Sequence, residues 1–226
     1  MEKETLLRRI ESVLSGFASS EYEKNKIDKI INAIKVIDRR FFVGFSPYED
    51  TALPIGHSQT ISQPSTVARM LMLLDPQPKN NVLEIGSGSG WNAALLGFLV
   101  YAGKVLSLDI IPVIIEQAKR NLKALKNNLP QPQNTKCQNI SFQCKNIFKE
   151  IDSWEERYDR IIITAGIENE DESHIQRLAK NLLHDDGRLI CPYQRGPMII
   201  IDKQGNNVSK QLTPEEYAFV PLRTEL

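Results

Sequence analysis

The side chains whose spacing points to chemistry are an acid and a run of glycines. Val82-Leu83-Glu84-Ile85-Gly86-Ser87-Gly88-Ser89-Gly90-Trp91 reads as a short buried strand, a glycine-rich turn and the start of a helix. Gly86, Gly88 and Gly90 let the main chain turn tightly and leave room for a ligand beside it. Ser89 is the expected N-cap of a helix opening near Trp91. The dinucleotide fingerprint G-x-G-x-x-G fails, because its third glycine would fall on Trp91. A second apolar run, Lys104 to Leu108, ends in Asp109, roughly 20 residues past the glycines, where a carboxylate can hold both hydroxyls of a ribose. His57, His174 and His184 lack metal-ligand spacing. Cys137, Cys144 and Cys191 are odd in number and form no C-x-x-C pair, so neither a zinc site nor a disulfide framework is indicated.

The elements that would hold these residues follow from periodicity. Leu6, Leu7, Ile10, Val13, Leu14 and Phe17 recur at helical spacing, as do Ile27, Ile30, Ile31, Ile34 and Ile37. Two amphipathic helices are expected, over 3–17 and 24–37. Residues 39–63 show no period, and so long an irregular stretch inside a domain points to function. Pro64 suits the first position of a helix carrying Val67, Met70, Leu71 and Leu74 on one face. Beyond it strands are expected at 82–85, 104–109, 140–144, 158–164 and 187–192, alternating with helices at 91–101, 112–127 and 172–183. A polar loop is expected over 127–139 and a β-hairpin around Gly205-Asn206. This alternation predicts an α/β fold: a Rossmann-like doubly wound, mainly parallel sheet with an N-terminal helical addition and a C-terminal β-hairpin. Residues 1–75 would carry the helices and the irregular segment, and 76–226 the core.

The 226 residues are 41% hydrophobic and 25% charged, enough for a full-sized core. Lysine plus arginine number 28 against 28 acids, so charge gives no footprint for nucleic acid or an acidic membrane. The first residues carry mixed charge rather than a secretory apolar stretch, and the longest apolar run, 93–102, is too short to span a bilayer. A cytoplasmic, monomeric protein is expected.

The loop E-x-G-x-G-x-G from Glu84 to Gly90 resembles that of class I S-adenosylmethionine methyltransferases. Tyr48-Glu49-Asp50, Leu53-Pro54-Ile55-Gly56-His57, Gln59-Thr60-Ile61-Ser62-Gln63-Pro64, Ile163-Thr164-Ala165-Gly166 and Ala218-Phe219-Val220-Pro221-Leu222 extend the likeness. Together they resemble the protein-L-isoaspartate O-methyltransferase family over nearly the whole chain. The resemblance implies methylation of the α-carboxylate of L-isoaspartyl residues in damaged proteins and peptides, with S-adenosylmethionine as donor. It implies that Ser62 is the active-site serine, with Thr60 beside it orienting the carboxylate, and that Gln59, Thr60 and Ser62 line the donor. It places Glu84, Gly86, Ser87 and Gly88 in the donor loop, Asp109 on the ribose and Ile110 beside the adenine. Asn146, followed by Ile147, stands where the family usually carries an aspartate, flanked by glycines, on the adenine amino group.

The chemistry asks little of the protein's acids and bases. A carboxylate with a reference pKa of about 4 is already ionised and nucleophilic at neutral pH, so no general base is needed. Sulfonium and carboxylate lose charge as they react, which favours a dry site that aligns them. Five alternatives or side roles stay open on the residues alone. A related enzyme with a dedicated peptide substrate would share both sites. A tRNA methyltransferase lacks support from charge, and a non-catalytic module of the same fold would rest on Asn146. His57 is either a substrate contact or structural, and Tyr48, Glu49 and Asp50 shape a groove or pin the loop.

Overall fold

A computed structural model describes residues 1–131 and 133–225. Helices α1 (Lys3–Ser15) and α2 (Glu21–Val36) come first, then a small hairpin, β1 (Leu53–Gly56) and β2 (Gln59–Ile61), and α3 (Pro64–Leu74). The core follows as β3 (Asn81–Ile85), α4 (Trp91–Leu99), β4 (Lys104–Asp109), α5 (Pro112–Asn128), β5 (Ile140–Cys144), α6 (Ile147–Glu150), β6 (Tyr158–Ile163), α7 (Glu172–Leu182) and β7 (Leu183–Pro192). Four short strands close the chain: β8 (Arg195–Gly196), β9 (Met198–Gln204), β10 (Asn207–Leu212) and β11 (Tyr217–Ala218).

Seven strands form the central sheet in the order β10-β9-β7-β6-β3-β4-β5. Strands β5, β4, β3, β6 and β7 run parallel, and β9 and β10 are antiparallel to their neighbours. Successive residues of a strand point to opposite faces, and the apolar side chains sort accordingly. Val82, Val105 and Ile162 pack into one cluster with the N-terminal helices and α4. Leu83, Ile85, Leu106, Leu108, Ile161 and Ile163 pack into another with α7. Among the described residues no helix is long and apolar enough to cross a membrane.

The elements expected from periodicity are present, with shifted ends. Helix α1 stops at Ser15 and not at 17, and α4 stops at Leu99, its cap Val100 bonding back to Leu96. Helix α2 begins three residues earlier than expected because Ser20 and Glu23 form a reciprocal capping box. Strand β7 starts at Leu183, four residues before the expected start at 187. Ser89 is not the N-cap of α4. Gly90 holds that position with φ 85, a left-handed conformation open to glycine, while Ser89 Oγ accepts from the Trp91 N–H at 3.3 Å. The aperiodic segment hides a 3-10 turn, Arg39–Phe41, and the β1–β2 hairpin. The expected loop 127–139 contains a second 3-10 turn, Gln133–Cys137, and Pro132 within it lies outside the described residues.

Candidate active site

Parallel register builds one side of the site. Glu84 of β3 lies opposite Ser107 of β4 on the same face. Its Oε2 accepts from Ser107 Oγ at 2.5 Å, and its Oε1 from Asn92 Nδ2 at 2.8 Å. Ser107 Oγ also lies 2.6 Å from Ser87 Oγ. Glu84 is wholly buried, and that burial pushes its pKa up to about 7. It lines neither cleft described below; it props the turn from beneath.

The turn itself is held by main-chain bonds. The N–H groups of Gly86 and Ser87 both donate to the Leu108 carbonyl. Gly86 has φ 99, and a side chain there would collide with Thr164 Oγ1, which donates to the Gly86 carbonyl at 2.6 Å. Asp109, at the end of β4, accepts from the Gly88 N–H through Oδ2 at 3.2 Å and from the Ile111 N–H through Oδ1 at 3.1 Å. Each oxygen keeps a lone pair for a ligand. Burial raises the Asp109 pKa, and the backbone donors pull it down.

Two clefts adjoin at the carboxyl ends of β3, β4 and β6, the usual ligand position in an open α/β sheet. They share Gln59, Gly86, Asp109 and Ala165 and have empty volumes of about 460 and 580 Å³. The outer one is walled by Ile110, Asn146, Ile147 and Leu222. The inner one is walled by Thr60, Ser62, Ser87, Gly88 and Trp91. An open groove then runs from Thr60, Ser62 and Gln63 to residues 216–221. Thr60 and Ser62 therefore stand between the inner cleft and the groove. Ser62 has no capping role: the N-cap of α3 is Gln63, and Asp50 Oδ1 accepts the Ser65 N–H at 2.9 Å.

The segment carrying Ser62 is held by a residue that pattern alone did not single out. Arg39 is 2% exposed, and its guanidinium donates to the carbonyls of Pro47, Glu49, Thr51 and Ser62 at 3.0–3.1 Å. It lies 5.4 Å from the Trp91 ring centre, and Trp91 Nε1 donates to the Ile37 carbonyl at 3.0 Å. Burial draws the Arg39 pKa down to about 10, which leaves it charged at neutral pH. The only sequence signal was a basic residue at the head of an apolar stretch. Tyr48 donates to Asp38, and Asp50 also pairs with Arg9 at 3.1 Å, so these two pin the loop. His57 is exposed at the tip of the β1–β2 hairpin, with φ 53.

Sheet order, glycine turn and strand-end acid together define a class I S-adenosylmethionine-dependent methyltransferase. Comparison with known proteins narrows the class. The model of the protein-L-isoaspartate(D-aspartate) O-methyltransferase family matches residues 17–226. The protein-L-isoaspartate O-methyltransferase of Hahella chejuensis is 35% identical, over 97% of this chain and 96% of its own. That of Photobacterium profundum is 38% identical, over 86% and 87%. A solved Plasmodium falciparum structure bearing the same family name, in complex with S-adenosyl-L-homocysteine, superposes over the full length of both chains with a TM-score of 0.79. At 21% identity it speaks for the fold alone. The chain belongs to the protein-L-isoaspartate O-methyltransferase family.

Proposed function

We propose that the chain transfers a methyl group from S-adenosylmethionine to the α-carboxylate of L-isoaspartyl residues in damaged proteins and peptides. The observation that carries the assignment of roles is the position of Thr60 and Ser62, which line both the inner cleft and the open groove. A carboxylate entering along the groove meets their hydroxyls at the point where the donor cleft begins. The donor set fits: Asp109 offers two carboxylate oxygens to a ribose diol, and Ile110 and Ile147 offer apolar walls to a flat base. When bound, S-adenosylmethionine supplies an electrophilic methyl on a sulfonium. Gln59, Gly86, Ser87 and Gly88 bound the cleft beside it, and Glu84 holds their turn in shape from below.

Ser62 and Thr60 orient the carboxylate by donating hydrogen bonds. The substrate oxygen forms the new bond to carbon as the sulfur–carbon bond breaks, leaving a neutral ester and a thioether. The main-chain nitrogen of the following residue then attacks the ester carbonyl and expels methanol, closing a succinimide without further help from the enzyme. An isoaspartyl residue and its aspartyl isomer carry the same charge and atoms, so selection between them is geometric. A misplacement of about 1 Å costs on the order of a hundredfold in rate. Residues 1–75 would supply Thr60 and Ser62, residues 216–221 of the 76–226 core would wall the groove opposite them, and a single cytoplasmic copy would suffice.

The test is methyl transfer from labelled donor to an isoaspartyl peptide beside its aspartyl twin. Strong preference for the first, whatever the flanking sequence, is expected. Equal labelling of both, or labelling of one dedicated peptide, would overturn the assignment.

A further inference from the structure

Residues 217–224 cross above the carboxyl ends of the strands as a strap. Tyr217 and Ala218 pair with Gly196 and Arg195. The Phe219 N–H donates to Gln194, the Val220 carbonyl accepts from Gly166, and the Leu222 N–H donates back to the Gly166 carbonyl at 2.7 Å. Past Leu222 the strap leaves the sheet and runs over the outer cleft, which Pro221, Leu222 and Arg223 help to wall. There its tie is Asn146, whose Nδ2 donates to the Thr224 carbonyl at 2.5 Å.

The other half of the same amide is also in use. Asn146 Oδ1 accepts from the Phe148 N–H at 3.1 Å, capping α6. One amide group faces a donor and an acceptor at once, so its orientation is fixed by its neighbours. An aspartate could make the first bond but not the second, because an ionised carboxylate has no hydrogen to give and would face the Thr224 carbonyl with its own negative oxygen.

We propose that Asn146 is a positioning residue of the donor site: it ties residues 222–224 down over the outer cleft and so slows escape of whatever occupies it. The asparagine in place of an acid is thereby explained by what it donates. This rests on the outer cleft being part of the donor site.

The experiment compares wild type with Asn146→Asp and Asn146→Ala. S-adenosyl-L-homocysteine binding is followed by calorimetry and stopped flow, and amide exchange over 220–225 is measured with and without ligand. Asn146→Asp keeps the cap of α6, so folding is preserved while the tie is lost. Faster exchange of the strap in the ligand-free protein is expected, with roughly tenfold weaker binding expressed as faster dissociation, about the effect of losing one such bond. In turnover the loss falls on the donor's KM more than on kcat. Asn146→Ala should loosen the strap equally. Equal or tighter binding in Asn146→Asp with strap exchange unchanged would overturn the tie and return Asn146 to direct contact with the base. Failure of the wild type to bind would overturn the donor-site assignment, while strap exchange in the ligand-free variants would still decide the tie.

Discussion

Near the carboxyl ends of the parallel strands, Gly86, Ser87 and Asp109 border the two clefts with Glu84 beneath them, and strand register sets their spacing. In the segment from Arg39 to Gln63, one buried guanidinium holds four carbonyls, and Tyr48 and Asp50 pin the loop beside it. The first arrangement spreads its support over a whole sheet. The second rests on a few side chains, Arg39 above all. Damage should therefore be graded at the glycine turn and more abrupt in the segment that carries Ser62.

The sharpest break is expected from Arg39→Met. Buried carbonyls left without donors cost about 1–3 kcal/mol each, so a urea titration should show a loss of several such units. A displaced Ser62 should lower methyl transfer to the isoaspartyl peptide by roughly a hundredfold or more. Product binding by the molecules that remain folded should persist. Unchanged transfer would mean that the loop keeps its shape by other means.

Asp109→Ala is the corresponding cut on the donor side. Loss of charge-assisted bonds worth about 1.5–3 kcal/mol should weaken S-adenosyl-L-homocysteine by tenfold or more in calorimetry, with the peptide KM little moved. Full affinity in this variant would remove Asp109 from the ribose. Ser62→Ala should show the reverse, a rate loss of about tenfold to a hundredfold with donor affinity retained. If donor affinity falls with the rate, Ser62 belongs to the donor cleft alone.

The smallest effect concerns the prop beneath the turn. The Glu84 pKa is raised from 4.5 to about 7, because burial penalises its charge. The folded state then binds the proton more tightly than the unfolded state between those values. Its contribution to stability is full below about pH 4.5 and is lost as pH rises through about 7, at no more than about 1.4 kcal/mol per pH unit. Glu84→Gln has no such proton, so its melting temperature should vary less between pH 5 and 8 than the wild type's. Identical pH profiles would show that Glu84 does not titrate there.

The same contrast decides what was legible beforehand. Strand β3, the glycine turn and Asp109 could be placed from the residues because period, special backbone conformations and an acid at a fixed distance all leave marks in sequence. The cap of α4 was misplaced by one residue, since Ser89 has the usual capping side chain but Gly90 alone takes the left-handed φ of 85. Ser20-x-x-Glu23 was a readable capping box that apolar periodicity overrode. Only its place ahead of an apolar stretch marks Arg39 locally; its partners lie 8, 10, 12 and 23 residues away and are main-chain atoms present in any sequence. The strap bond from Asn146 spans 78 residues and was equally hidden. The family likeness could name Ser62 but not what holds it.

The clamp at Arg39 grips carbonyls, which every residue possesses, so it sets the path of the segment without prescribing its side chains. Substitutions at Pro47, Glu49 and Thr51 leave the gripped oxygens in place as long as the backbone can still follow its course. Mutation can thus try new lengths, charges and polarities along this stretch without unmaking the frame that presents Ser62. Arg39 bears the constraint for all of them. A chain built this way can vary the surface it shows to many different damaged proteins while the geometry of methyl transfer stays fixed.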